Sequence, residues 1–583
     1  MKYLFLLLFL SLHLSSLYSQ TIPANRTVDW SRAGLRSPIP SYSTIVNVTN
    51  FGAVGDGTTV NDTAFTAALN SLNGESGVIY FPAGTYLFNS HIVLPDSIIL
   101  RGESSQATFL KFDLANQIYD LISASGVITS QISAVNATAN QGDVTISVTD
   151  ASGFKQGDYI KIYEADTSLV TSTWAYNSVA QIALIQSVNG NTITISSPLR
   201  ITFPLVNSPQ IAKLSMVTGV GLECLNIQRL DTTAQQTSNI SFTVAANCWI
   251  TSVESNTTNF AHADISISTN VYISGCYFHD AFAYGDDGEG YGALVQFSSG
   301  ECLIENNIFN HLRHSMLVQA GANGNVFAYN YSANAYWVES GYPNNAAGDI
   351  VLHGNYPFAN LFEGNVCQNI VIDNSHGING PYNTLFRNRV LLYGIVMNSG
   401  AGDSTNLVGN DITNTGFLMG NYLLTGNSNF QAFNTVRGTI KPSASGSLPD
   451  NSYYLTTAPP YFTNSYHWPP IGNPYSSNNY PIPAQNAYSA GNYTTCAQNG
   501  TTGLVSSVKS NSLLVYPNPV SDELHIISTE SPSLQMQAEL YNIQGVLLKS
   551  YTFYSATTID VKLLINGVYI LKVGNEYFRI VKA

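Results

Sequence analysis

Charged side chains are scarce. Asp, Glu, Lys and Arg make up 10% of the 583 residues, against the usual quarter of a globular chain. Those present lean acidic, 36 Asp+Glu against 22 Lys+Arg, for a formal net charge of −14. That balance argues against a nucleic-acid partner, which needs basic patches, although it leaves room for a local basic cluster. Long apolar runs are also missing beyond the N-terminus. There, Lys2, the run Leu4–Leu12 and the small residues from Ser16 to Ser19 read as a secretory signal peptide over residues 1–19. The run is too short for a resident membrane helix, so the mature chain is expected to be soluble, with no transmembrane segment. Six cysteines (Cys224, Cys248, Cys276, Cys302, Cys367, Cys496) show no CxxC or zinc-type spacing. Export permits disulfides, but cysteines this thinly spread read as single buried residues.

Asn, Ser, Thr, Tyr and Gly fill the gap left by charge, and they recur. Asn307, Asn330, Asn365, Asn388 and Asn410 each follow an apolar pair, at spacings of 23, 35, 23 and 22 residues. Gln296, Gln319, His353, His376 and Asn398 precede them by eleven or twelve residues, at spacings of 23, 34, 23 and 22. Two columns sharing one period and one long interval describe a stacked solenoid with an inserted loop. Asparagine tolerates left-handed bends and stacks in hydrogen-bonded ladders, so the first column reads as scaffold. The second either ladders in the same way or carries chemistry.

In chain order, residues 20–45 are irregular. A helix-like stretch runs from Thr63 to Leu72, with Asp62 or Thr63 as N-cap. Residues 124–203 alternate in short runs between Gly and Asn turns, as an inserted antiparallel β subdomain does. Coils resume from Leu214 to about Arg437, residues 441–512 read as an irregular wrap and linker, and 513–583 form a separate module.

Phe51-Gly-Ala-Val-Gly-Asp-Gly-Thr, the amphipathic helix and Val78-Ile-Tyr-Phe-Pro-Ala-Gly-Thr-Tyr resemble the start of the pectate-lyase-like superfamily, which includes rhamnogalacturonases, uronan epimerases and phage tailspikes. The resemblance implies an all-β chain: a right-handed parallel β-helix over 46–440, capped by that helix. Asp56 and Asp62 lie in the cap and read as turn and cap residues. Leu513-Leu-Val-Tyr-Pro-Asn-Pro, Leu540-Tyr-Asn-Ile-Gln-Gly and Gly567-Val-Tyr-Ile-Leu-Lys-Val resemble the type IX secretion sorting domain of Bacteroidota. That implies a C-terminal β-sandwich, the type IX machinery as a partner, and export through the outer membrane to the surface or medium.

Chemistry is expected where the period breaks. Tyr284–Gly292 and Tyr336–Asn345 are insertions at equivalent corners, and the coil between them carries His311, Arg313 and His314. Two loops flanking such a floor would grip a polysaccharide. Arg313 reads as a neutraliser of uronate carboxylates, with His311, His314 or His353 moving a proton. Asp286 and Asp287, with Glu289 and Glu339, offer carboxylates for hydrolysis. Tyr291, Glu289, Tyr336, Trp337, Glu339, Gln319 and His376 are candidate substrate contacts. The 285–289 loop also admits calcium, without EF-hand spacing, and no cofactor is required by the sequence. Glu363, Arg387 and Arg389 flank the Asn column and read as surface charges. Of the polygalacturonase motifs only Gly285-Asp286-Asp287 matches, and lysine is scarce in the repeats. A lyase acting on an acidic polysaccharide is therefore favoured over a hydrolase, with a noncatalytic glycan-binding β-helix third.

Overall fold

Asparagine ladders set the architecture. Asn307, Asn330, Asn365, Asn388, Asn410 and Asn434 are fully buried. Each of the first five donates from Nδ2 to the Oδ1 of the next at 2.9–3.0 Å, and each backbone N–H from Asn307 to Asn410 donates to that same oxygen. A second ladder, Asn325–Asn360–Asn383, holds another bend. The left-handed residue is not the ladder asparagine but the one before it: Asn306, Tyr329, Arg387 and Phe433 have φ near +53°, and Gly364 and Gly409 occupy the same place. Bulky residues adopt that conformation at a cost of roughly 1–2 kcal/mol, which the bonds of the ladder offset.

The computed structural model describes residues 21–285, 288–339 and 347–582, apart from 403, 427, 445, 464, 473–479, 495, 497–512, 517–519, 529–535, 543–545, 555 and 574–575. The expected signal peptide and the linker's last residues, 497–512, lie outside the described residues. Each coil contributes three short strands, as in Leu303–Glu305, Ile308–Asn310 and His314–Val318. These pair in parallel with the next coil: Ile304 with Phe327, Phe309 with Ser332, Leu317 with Val351. The result is a parallel β-helix of three faces, the first, second and third built from those three strands in that order. Inward residues such as Ile304, Phe309, Met316 and Leu352 form one continuous core, reaching Phe65 and Ala68 of the capping helix Asp62–Asn70. Asn61 precedes that helix, whereas the Asp62 carboxylate accepts from the Asn89 and Ser90 amides. Asp56 accepts from Thr58 and Thr59 in a turn.

The inserted subdomain is a six-stranded antiparallel sheet from Val127–Ala134 to Gln210–Ser215, extending past residue 203. Cys248, Cys276, Cys302 and Cys367 are free and buried, while Cys224 departs from expectation by being disulfide-bonded. Glu363, Arg387 and Arg389 are not surface charges but buried. Residues 449–471 run over the first face, where Arg387 donates to the carbonyls of Ile471 and Pro449, both at 2.6 Å. Glu363 accepts from the Tyr453 amide and the Tyr329 hydroxyl, and Arg389 pairs with Asp411 at 3.2 Å.

Residues 496–583 form a separate unit. A three-stranded and a four-stranded sheet share one core, with Leu524, Ile526 and Ile559 against Ala538, Leu540 and Leu571. This is a small β-sandwich.

Candidate functional site

Among the described residues, the two loops meet instead of standing apart. Val338 N donates to Tyr284 O at 3.3 Å, and the Tyr336 and Tyr284 rings meet edge to face with centroids 5.1 Å apart. The loops therefore touch above the uninserted coil, and Arg313 is buried beneath them. Its guanidinium donates to Gly285 O and lies 5.2 Å from the Trp337 ring and 5.9 Å from Tyr291. Arg313 ties the loops together instead of facing an open floor. The physical reason is the cation's need for acceptors and π faces once the loops exclude water.

This closure divides the expected cluster in two. His311 faces the second face. Its Nδ1 meets Asp280 Oδ1 at 2.8 Å and the Tyr284 hydroxyl at 3.1 Å, and its side chain is 40% exposed. Asp280 also accepts from His279 Nδ1 at 2.9 Å, and His279 Nε2 reaches Glu254 at 3.2 Å. The hydrogen bond from His279 leads in holding Asp280 down at about 2. His279 is raised, because these two carboxylates outweigh the burial that opposes its charge. This corner is acidic and internally paired.

His314 turns to the third face. Its Nδ1 lies 3.1 Å from Gly348 O. A carbonyl only accepts, so Nδ1 carries the proton and Nε2 the lone pair. Burial, then the charges of Arg313 and His353, hold His314 well below the usual imidazole range, so it is neutral at pH 7. Tyr291 lies on one side with centroids 5.1 Å apart and His353 on the other at 5.7 Å. His353 Nδ1 donates to Asp373 Oδ2 at 2.6 Å. Burial pushes Asp373 up, but the charge and hydrogen bond of His353 outweigh it, and Asp373 ends below its ordinary value.

Strand register corrects the second column. Leu352 pairs with Ile372, and Ile372 with Met397, so Asp373, not His376, stands beside His353 in the row that continues to Asn398. The strand Val366–Ile372 passes through the corner without a bend, so the third face arrives three residues early. His376 lies in the following turn, edge to face with His353 at 4.8 Å. The other half of the column is a ladder: Gln319 donates to Gln296 at 2.7 Å, and Gln296 to Asp264 at 3.0 Å. Burial raises Asp264 to about 7.

Of the remaining expected residues, Tyr336 and Glu339 are exposed, while Glu289 and Trp337 are half-buried. Asp286 and Asp287 lie outside the described residues. Among the described residues no group of three or more His, Cys, Asp or Glu is placed to hold a metal ion. Sequence reasoning missed Asp373, Asp280 and His279. The signal for Asp280 was its position one coil before His311.

Residues 45–196 match the family model for rhamnogalacturonase A/epimerase, pectate lyase-like proteins, and residues 514–583 match the secretion system C-terminal sorting domain. Similar solved structures include the tailspike protein gp49 from Pseudomonas phage LKA1, at 16% identity and a TM-score of 0.48, covering 63% of this chain and 64% of that one. The chain thus spans less than two thirds of that tailspike's length. The A-module of the mannuronan C-5 epimerase AlgE4 of Azotobacter vinelandii is similar at 13% identity and a TM-score of 0.37, covering 67% and 94%. The gp54 tailspike of Acinetobacter baumannii bacteriophage AP22, solved in complex with A. baumannii capsular saccharide, is similar at 14% and 0.34, covering 66% and 69%. No curated protein sequence matches significantly. No helix of the described residues is long and apolar enough to cross a membrane. The chain thus joins a parallel β-helix, whose first part is similar to the rhamnogalacturonase A/epimerase, pectate lyase-like model, to a secretion system C-terminal sorting domain that indicates export to the cell surface or beyond.

Proposed function

We propose that this chain is an exported enzyme that cleaves an acidic, uronate-bearing polysaccharide by β-elimination on the third face of its β-helix. The observation that carries this reading is the His353–Asp373 pair beside a neutral His314. An ionised Asp373 fixes the Nδ1–H tautomer of His353, which leaves Nε2 as the base for the acidic C5 proton, and it stabilises the imidazolium that forms. Gln319, on the adjacent rung, has an amide hydrogen to offer the uronate carboxylate. Tyr291 and His314 line the same face, where the leaving oxygen must be protonated. The match to the pectate-lyase-like family model is consistent with a polysaccharide substrate.

A two-carboxylate hydrolysis is less well supported on this face. Asp264 and Asp373 stand four rungs apart, which at the inter-strand spacing is about 19 Å. Paired glycosidase carboxylates lie roughly 5–9.5 Å apart. The test is incubation with a panel of acidic polysaccharides, following ultraviolet absorbance of the unsaturated product together with new reducing ends. Cleavage with absorbance that His353→Ala abolishes is expected. Reducing ends without absorbance would make the enzyme a hydrolase, and binding without either would leave a noncatalytic glycan-binding protein.

A further inference from the structure

The inserted subdomain brings Trp174 beside the third face, against Phe297 and His376. Trp174 lies in the single turn Thr173–Ala175, between strands of the insert. Tyr176 is exposed as well, but the apolar neighbours Val170, Ala175 and Val179 are buried against Ala320 of the β-helix. The indole is not, and remains 47% exposed. A segment that buries its small apolar residues and leaves a tryptophan in water is presenting that ring to something.

The presentation is rigid. Asn355 Oδ1 accepts from the amides of Thr171 and Ser172, both at 3.2 Å, and Ser298 Oγ donates to Ser178 O at 2.7 Å. Asp166 accepts from Asn177 and Val179 across the base of the loop. Contact is so close that a Cβ on Gly321 would lie 1.7 Å from Ser178 O, so only glycine fits there. The indole then meets His376 edge to face at 5.4 Å and Phe297 at 5.8 Å. His376 in turn meets His353 at 4.8 Å. One imidazole separates the exposed indole from the ring assigned the proton transfer.

We infer that Trp174 is a stacking platform for a pyranose ring of the polysaccharide, a subsite next to the His353 centre supplied by the insert and not by the β-helix. An exposed indole face offers C–H-rich sugar faces a flat apolar surface at low entropic cost. The platform binds and positions, and takes no part in proton transfer. This rests on the proposed function for the identity of the polymer, but its test does not depend on cleavage.

The full chain carrying His353→Ala, which keeps the polymer intact, is run in affinity gels cast with polygalacturonate or alginate. It is compared with the same chain carrying Trp174→Ala or Trp174→Phe, each checked for unchanged circular dichroism. Trp174→Ala is expected to weaken retention about tenfold, equivalent to ~1.4 kcal/mol, while Trp174→Phe, which keeps a ring, retains most of it. Retention that Trp174→Ala leaves unchanged overturns the platform and leaves the proposed cleavage standing. Retention that depends on Trp174 in a chain whose parent never cleaves supports the platform and overturns the cleavage. No retention on either polymer by the His353→Ala chain overturns the platform for uronate polymers.

Discussion

Asn330→Ala removes one rung of the main ladder, and its cost follows from the bonds lost. Asn330 donates to Ile304 O and Asn365 Oδ1, and accepts from the Asn307 backbone and side-chain amides. Two of those partners keep a second bond: Asn307 Nδ2 still reaches Ile273 O, and Asn365 Oδ1 still accepts the backbone amide of residue 330. The buried Asn307 N–H keeps none, at about 1–3 kcal/mol. The other three lost bonds are worth about 0.5–1.5 kcal/mol each, for a total of roughly 3–7 kcal/mol. A surface substitution costs within about 0.5 kcal/mol. Because coils contact mainly their neighbours, the loss is expected to appear locally. Hydrogen exchange over residues 300–340 reports it directly, with the denaturation midpoint of the full chain as a second reading. A variant whose local protection falls by less than ~1 kcal/mol would refute the claim that the ladder holds the left-handed bends.

Two further outcomes follow from buried charge and from the division of the histidines. Burial raises Glu363 from 4.5 to about 7, so the folded state holds a proton that the unfolded state releases. Its favourable contribution is complete below about pH 4.5 and is lost as pH rises through 7, up to about 3 kcal/mol. Glu363→Gln is therefore expected to flatten the stability–pH curve between pH 4.5 and 7.5, and an unchanged slope in chemical denaturation at several pH values would contradict this. His311→Ala is expected to keep most cleavage activity, because His311 belongs to the acidic corner with Asp280. Loss of product formation as complete as in His353→Ala would move the chemistry to the second face.

The fold was legible because a β-helix repeats its demands. Each rung needs an asparagine at the same bend, so Asn307 to Asn410 announced the stack, and the capping motif at 51–86 announced its start. The site was legible in part. Counting residues placed His376 beside His353, since spacing cannot reveal that Val366–Ile372 runs straight through a corner. Counting also placed the loops on either side of a floor, since no pattern records that Val338 hydrogen-bonds Tyr284. Glu363 and Arg387 looked like surface charges because their partners, Tyr453, Pro449 and Ile471, lie some sixty to ninety residues away in a stretch with no period. Trp174 sat in a Ser- and Thr-rich turn whose docking partner, Asn355, lies 183–184 residues on.

The segment over the first face changes how such a stack comes apart. A solenoid whose rungs touch only their neighbours unzips from either end, one coil at a time. Here Tyr454 and Tyr461 bond Glu305, Trp468 bonds Tyr329, and Ile471 bonds Arg387. From the other end of the chain, Trp30 bonds Ala359 and Arg26 bonds Asn406. Two straps laid lengthwise thus latch successive coils from opposite directions. Freeing the last coil means lifting a strap that also holds coils further in, so the end of the stack resists fraying and its coils yield together.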